Sequence, residues 1–184
     1  MGKAKGTIVV KAVKVLRGHK EAARKALPES LHHYLKSTIL SSTWYEEAEY
    51  LELCRACAQV LSRYDGNPWE LMGKVSAEID LEEIYRSQLR PGDPLASLRN
   101  FQTVWRLHHD TGKVTVTSES PGRASVELTD YAIVSSEMCR SIGGHIRGTL
   151  SLAGAENIRL SKSLCRATGD PVCRWDARWQ SRSP

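Results

Sequence analysis

The 184-residue chain has no apolar run of the length needed to cross a bilayer. Its opening, MGKAKGTIVVKAVKVLRGHK, is interrupted by Lys11 and Lys14 and lacks a small-residue cleavage site, so neither a membrane anchor nor a secretory signal is expected and a cytoplasmic protein is the natural reading. A Walker loop, a dinucleotide-binding glycine fingerprint and a G-x-S-x-G nucleophile elbow are all missing, and no carboxylate pair stands in a recognisable setting. Catalysis therefore has no support in the sequence. Ser141-Ile142-Gly143-Gly144-His145 falls inside a helical pattern, where Gly143, Gly144 and Gly148 are expected to allow close packing against a sheet. Internal repeats and low-complexity segments are also lacking.

There is no concentrated basic stripe either. Lys and Arg total 26 against 21 acids, a net charge of +5, but they are dispersed along the chain, which argues for solubility and against a nucleic-acid partner. The five cysteines, Cys54, Cys57, Cys139, Cys165 and Cys173, are odd in number and do not form a secreted disulfide framework, so reduced thiols or metal ligands are expected.

The length and the 41% hydrophobic content fit one domain over residues 1–184 with a substantial core. Apolar residues recur at helical steps through Ile8 to Leu16, Ala22 to Leu27 and Leu31 to Leu40. From Glu46 to Tyr64 an acidic first turn precedes a stripe of Ala48, Leu51, Cys54, Ala58 and Leu61. Cys54-x-x-Cys57 lies within that stripe, so helix packing is favoured over a zinc knuckle, which needs a turn. Trp69 to Leu89 and Leu95 to about His108 continue the helical half, about 6–109. The character then changes. KVTVTSE and ASVELTDYAIV alternate with period two around a Pro121-Gly122-Arg123 turn, and predict a hairpin. A helix over Ser136 to Leu152 follows, and two final strands are joined through Gly169-Asp170-Pro171, so sheet and long helix occupy about 112–180. The predicted class is α+β: an N-terminal helical layer with an antiparallel sheet of about four strands and one long crossing helix.

KGTIVVKAVKVLR resembles the opening of haem nitric-oxide-binding domains, and the C-terminal helix followed by the Cys165 to Cys173 segment CRATGDPVC resembles the 4-vinyl reductase domain of the same ligand-binding superfamily. A longer resemblance, carried by GTIVVKAVKVLR, LPESLHHYLKSTILSSTWY, VWRLHHDTGKVTV and the strand ending RW, is to a paralogous family of myxobacterial proteins. Glu46 stands where that family has a proline after Trp44-Tyr45. The resemblance implies a sensor-like fold with a pocket between helices and sheet for a small apolar or aromatic ligand, a homodimer, and signalling through a protein partner. In sensors with a 4-vinyl reductase domain, a zinc site uses a cysteine of the long helix, an acidic residue of the next strand and two cysteines around the terminal turn. Cys139, Cys165 and Cys173 match the three cysteines, whereas the acidic position is Lys162, an ammonium that offers no lone pair. Glu156, His145 or a water are the alternatives that could complete four donors, and three buried apolar thiols are the plainer reading.

The same resemblance raises haem, with His108 or His109 as conceivable axial ligands. The Tyr-x-Ser-x-Arg propionate clamp of that family is missing, Tyr85 to Leu89 being only a near match, so haem is set aside and no cofactor is assigned beyond zinc as a candidate. Trp44, Tyr45, Phe101 and Trp105 are the aromatic candidates for an apolar pocket, with His108 as its polar handle. These features predict a non-catalytic small-molecule sensor or adaptor. The alternative is a ligand-free interaction scaffold that keeps the fold.

Overall fold

A short pair of strands stands beside the helices read for this half of the chain. In the computed structural model, which describes residues 2–181, Lys3–Lys5 form a short strand, β1, paired antiparallel with Trp44–Glu46, β2. Strands of three residues carry too few alternating positions to announce themselves, and only their pairing identifies them. The chain divides into two units. One runs to Pro68 and adds Leu107–Thr111, and the other comprises Trp69–Arg106 and the chain from Gly112 onward.

In the first unit, α1 (Gly6–Gly18) buries Ile8, Val9, Ala12, Val13 and Leu16, as its spacing predicts. Next come α2 (Lys20–Ala26) and a 3-10 turn, Glu29–Leu35, that ends earlier than the predicted Leu40. The helix α3 (Glu47–Leu61) packs on α1, and the Cys57 thiol donates to the Ala12 carbonyl at 3.3 Å. Its buried face includes Leu51, Cys54 and Ala58 as read, but begins at Glu47, with Ala48 exposed. The carboxylate displaces the alanine because it has a partner inside the unit, described below.

The second unit begins with α4 (Pro68–Glu78), which widens into a π-helical turn over Ile79–Ile84 with Asp80 buried inside it. After the Pro-Gly break, α5 (Pro94–His108) starts one residue before its predicted position, and its last two residues, Leu107 and His108, belong to the first unit. The strands β3 (Lys113–Ser120) and β4 (Arg123–Thr129) form the expected hairpin. The helix α6 (Ser136–Leu152) has the predicted bounds, set by Ser135, whose hydroxyl caps the Met138 N–H at 3.1 Å. The last strands, β5 (Ala155–Leu164) and β6 (Cys173–Ser181), complete an antiparallel sheet in the order β3-β4-β6-β5. Cys173, Trp175, Ala177 and Trp179 of β6 are buried, and alternate with Arg174, Asp176, Arg178 and Gln180 on the outer face. The α+β class with a four-stranded antiparallel sheet is thus present as predicted.

The glycines of α6 serve two surfaces. Gly143 faces Trp175 of the sheet, as expected, but Gly144 and Gly148 face α4. Consecutive helical residues point about 100° apart, so neighbouring glycines cannot share one partner. A Cβ on Gly144 would collide with the Glu70 carbonyl oxygen, and one on Gly73 of α4 with the Ser141 carbonyl oxygen, so the two backbones touch. Gly73→Ala should destabilise the protein by about 3 kcal/mol or more in urea unfolding. Gly18→Ala, where no atom lies within 4 Å, should be neutral or gain about 0.5–1 kcal/mol. Equal effects at the two positions would contradict the contact.

Candidate functional site

Three cysteines far apart in the chain meet in the second unit. Cys139 comes from the first turn of α6, Cys165 from the residue before a 3-10 turn (Arg166–Thr168), and Cys173 from the start of β6. Their sulfurs all lie within 4.8 Å of one another, with Cys139–Cys173 at 3.5 Å and Cys139–Cys165 at 4.0 Å. The connecting turn is held by its own polar groups. Asp170 Oδ2 accepts from the Cys165 N–H at 2.7 Å, the Thr168 hydroxyl donates to the Cys165 carbonyl at 2.9 Å, and Gly169 takes the left-handed conformation with φ of 100°. The Arg166 N–H points at the Cys173 sulfur from 3.5 Å.

Lys162 completes the surroundings. Its Nζ lies 3.8 Å from the centre of the Trp175 ring, a cation–π contact across directly paired positions of β5 and β6. Burial pushes the Cys139 thiol up to about 12 against the pull of the Lys162 ammonium. At Cys173, burial works in the same upward direction, but the Arg166 N–H, Cys139 and Lys162 together hold the thiol below its ordinary value. A closed structural zinc site takes four donors, and among the described residues this cluster supplies three sulfurs. His145 instead stacks on Phe101 with ring centres 4.8 Å apart, and Glu156 is exposed opposite Gln180. The residues present do not fit a closed zinc site.

The aromatic candidates separate. Phe101 and Trp105 are buried on α5 with centroids 6.1 Å apart, and Trp105 meets Tyr131 edge-on at 4.9 Å. Trp44 and Tyr45 belong to the first unit. Trp44 is 38% exposed beneath the Lys5 ammonium, and the Tyr45 hydroxyl accepts from the Leu40 N–H at 2.9 Å. His108 is buried, at 5% exposure, in the first unit. Sequence reading missed His145 and Tyr131 as companions of Phe101 and Trp105. His145 continues the buried face of α6 through Met138 and Ile142, a signal that was available.

The first unit holds a polar pair that sequence reading also missed. Glu47 is fully buried, its Oε1 lies 2.6 Å from His109 Nδ1, and its Oε2 accepts from the Thr111 hydroxyl at 3.1 Å. The Asp110 N–H donates to the Lys3 carbonyl at 3.1 Å, and Ala4 and His109 form an isolated antiparallel bridge. His109 is thereby committed to anchoring the end of α5 to α3 and β1.

Neither a protein-family model nor a curated protein matches the sequence. The fold, however, is that of H-NOX domains. An H-NOX protein from S. oneidensis in the Fe(II)NO ligation state shares it with a TM-score of 0.66 at 15% identity, over 96% of this chain and 99% of that one. A structure described as probing the function of haem distortion in the H-NOX family gives 0.68 at 15% identity over 98% and 96%. An oxygen-binding H-NOX domain related to soluble guanylate cyclases, as its oxygen complex, gives 0.63 at 17% identity over 98% and 96%. The expected kinship with haem nitric-oxide-binding domains thus holds at the level of fold.

This comparison overturns the expectation against haem. The fold is one on which haem proteins are built, so a missing sequence clamp is no ground for setting the cofactor aside. Imidazole is a standard axial ligand of haem iron, and His108 and His145 are both buried, one in each unit.

The thiols differ in access. Cys165 is half-buried, whereas Cys54 and Cys57 are buried in α3, where burial pushes Cys54 up to about 12 and raises Cys57 further. Iodoacetamide at pH 8 should modify Cys165 of the folded protein and leave Cys54 and Cys57 intact, with all five modified in denaturant, as read by peptide mass spectrometry. Labelling of Cys54 at the rate of Cys165 would contradict this placement.

Proposed function

We propose that the chain is a sensor domain, holding a small, flat and largely apolar ligand and passing its occupancy to a separate signalling protein. The observation that supports this most is the end-to-end correspondence with H-NOX structures, which spans 96–98% of this chain and 96–99% of theirs in the comparisons above. Haem is the first ligand to consider, because the fold is shared with haem proteins and two buried imidazoles can donate to iron. When bound, haem supplies an iron centre that takes up a diatomic gas.

The chain's own contribution is shape and donor chemistry. In the second unit Phe101 and Trp105 offer flat apolar surfaces and His145 a nitrogen donor, and the ligand shifts the population of whichever conformation it binds better. A separate partner reads that shift. The role read here is recognition rather than catalysis, since His109 and the Thr111 hydroxyl are each engaged with the buried Glu47 carboxylate rather than with one another.

One observation favours a second reading, a ligand-free interaction scaffold. Phe101 stacks on His145 and Trp105 abuts Tyr131, so side chains already occupy one another's faces.

Titration of haemin into the purified protein separates the two. A sensor of the haem type should give a saturable one-to-one Soret shift, and loss of the donor in His108→Ala or His145→Ala should weaken it by about tenfold or more. A shift that survives both substitutions would overturn imidazole ligation. With no shift, and no saturable quenching of tryptophan fluorescence by an apolar dye, the scaffold reading replaces the sensor.

A further inference from the structure

The outer face of the sheet carries a row of like charge. Arg123 of β4 pairs directly with Arg178 of β6, and Arg178 pairs directly with Arg159 of β5. Directly paired residues share a face, so three guanidinium groups stand side by side across three adjacent strands. All three are exposed. With strands about 4.8 Å apart, the row is about 10 Å wide.

Such a row works against the sheet. Like charges directly opposite one another are destabilising, and a sheet optimised only for stability would alternate their sign. Acidic residues are available on the same face, but they are engaged elsewhere. Arg174 alone binds Glu119 at 2.9 Å, Glu127 at 3.4 Å and Asp176 at 2.9 Å. The side chains of Arg123, Arg159 and Arg178 make no hydrogen bond or ion pair among the described residues, although Asp176 lies close enough for its carboxyl to feel Arg178.

The row is also set in a concavity. An open depression of about 910 Å³ is lined by Ser120, Arg123, Asn157, Arg159, Arg178 and Gln180, among others. The hydroxyl and the two amides add neutral hydrogen-bonding groups around the three guanidinium forks, and the Asn157 amide donates to Gln180 Oε1 at 2.6 Å, tying the rim together. Guanidinium groups match oxyanions, phosphoryl groups above all, with paired N–H donors.

We propose that this depression is a binding site for a compact, multiply charged phosphoanion, held by Arg123, Arg159 and Arg178. Compactness follows from the boundary. Ser125, Asp176 and Ser161 form the next row on the same face, and Glu127 lies beyond it, so the positive potential is confined to one end of the sheet. A nucleic-acid strand extending along β6 would meet Asp176 on one side of the row and Glu156, paired with Gln180, on the other, so only a compact group stays within the arginine row.

Isothermal titration of inorganic pyrophosphate into the whole protein at low salt, with inorganic phosphate and a single-stranded oligonucleotide in parallel, tests the site. Pyrophosphate should bind saturably and more tightly than phosphate. Arg178→Gln, at the centre of the row, should weaken it by about tenfold or more. Lys14→Gln, on exposed α1 surface, should leave it unchanged. Because the substitution relieves like-charge repulsion, Arg178→Gln should melt no lower than the parent, which separates lost binding from lost folding. Undetectable pyrophosphate binding, an equal loss in Lys14→Gln, or a preference for the oligonucleotide would each overturn the proposal.

Discussion

The register of β6 is the constraint on which both faces of the sheet depend. This strand lies between β4 and β5, and its period-two alternation sends Cys173, Trp175, Ala177 and Trp179 inward and Arg174, Asp176 and Arg178 outward. The inward set brings Cys173 to Cys139 and sets Trp175 beneath the Lys162 ammonium. The outward set gathers three acids on Arg174 and aligns Arg178 with Arg123 and Arg159. A slip of one residue would exchange the two sets, burying arginines and exposing two tryptophans, so burial itself specifies the register.

The thiols and the imidazoles are held in different ways. The thiol cluster gathers three sulfurs, and the nearby Lys162 contributes positive charge that works to lower the Cys139 and Cys173 thiols and a cation–π contact with Trp175. The imidazoles divide by a similar logic. His109 is committed to a buried carboxylate, whereas His145 stacks on Phe101 and His108 is buried beside the His109 ring. Among the described residues no helix is long and apolar enough to cross a bilayer.

Long elements with strong local signals were legible in the sequence. The apolar spacing of α6 locates both ends of that helix, and alternation locates the strands of the sheet. What escaped was set by distant partners. Glu47 reads as a helix-start acid, and only His109, 62 residues later, explains its burial. β1 and β2 are too short to show a period and exist through their pairing. The cysteines could be associated through a family resemblance, but the position of Lys162 over Trp175 depends on a β5–β6 register with irregularities on both sides. Arg123, Arg159 and Arg178 are unremarkable surface residues until three strands bring them into one row.

Native mass spectrometry of the freshly purified protein tests most directly whether this fold serves as a sensor. A sensor domain should carry, or take up on exposure, one small molecule per chain, with a mass increment that persists in the folded ion and is lost on denaturation; haem would appear as its own mass. A clean ligand-free mass under every loading condition would contradict the sensor and leave a packed interaction scaffold.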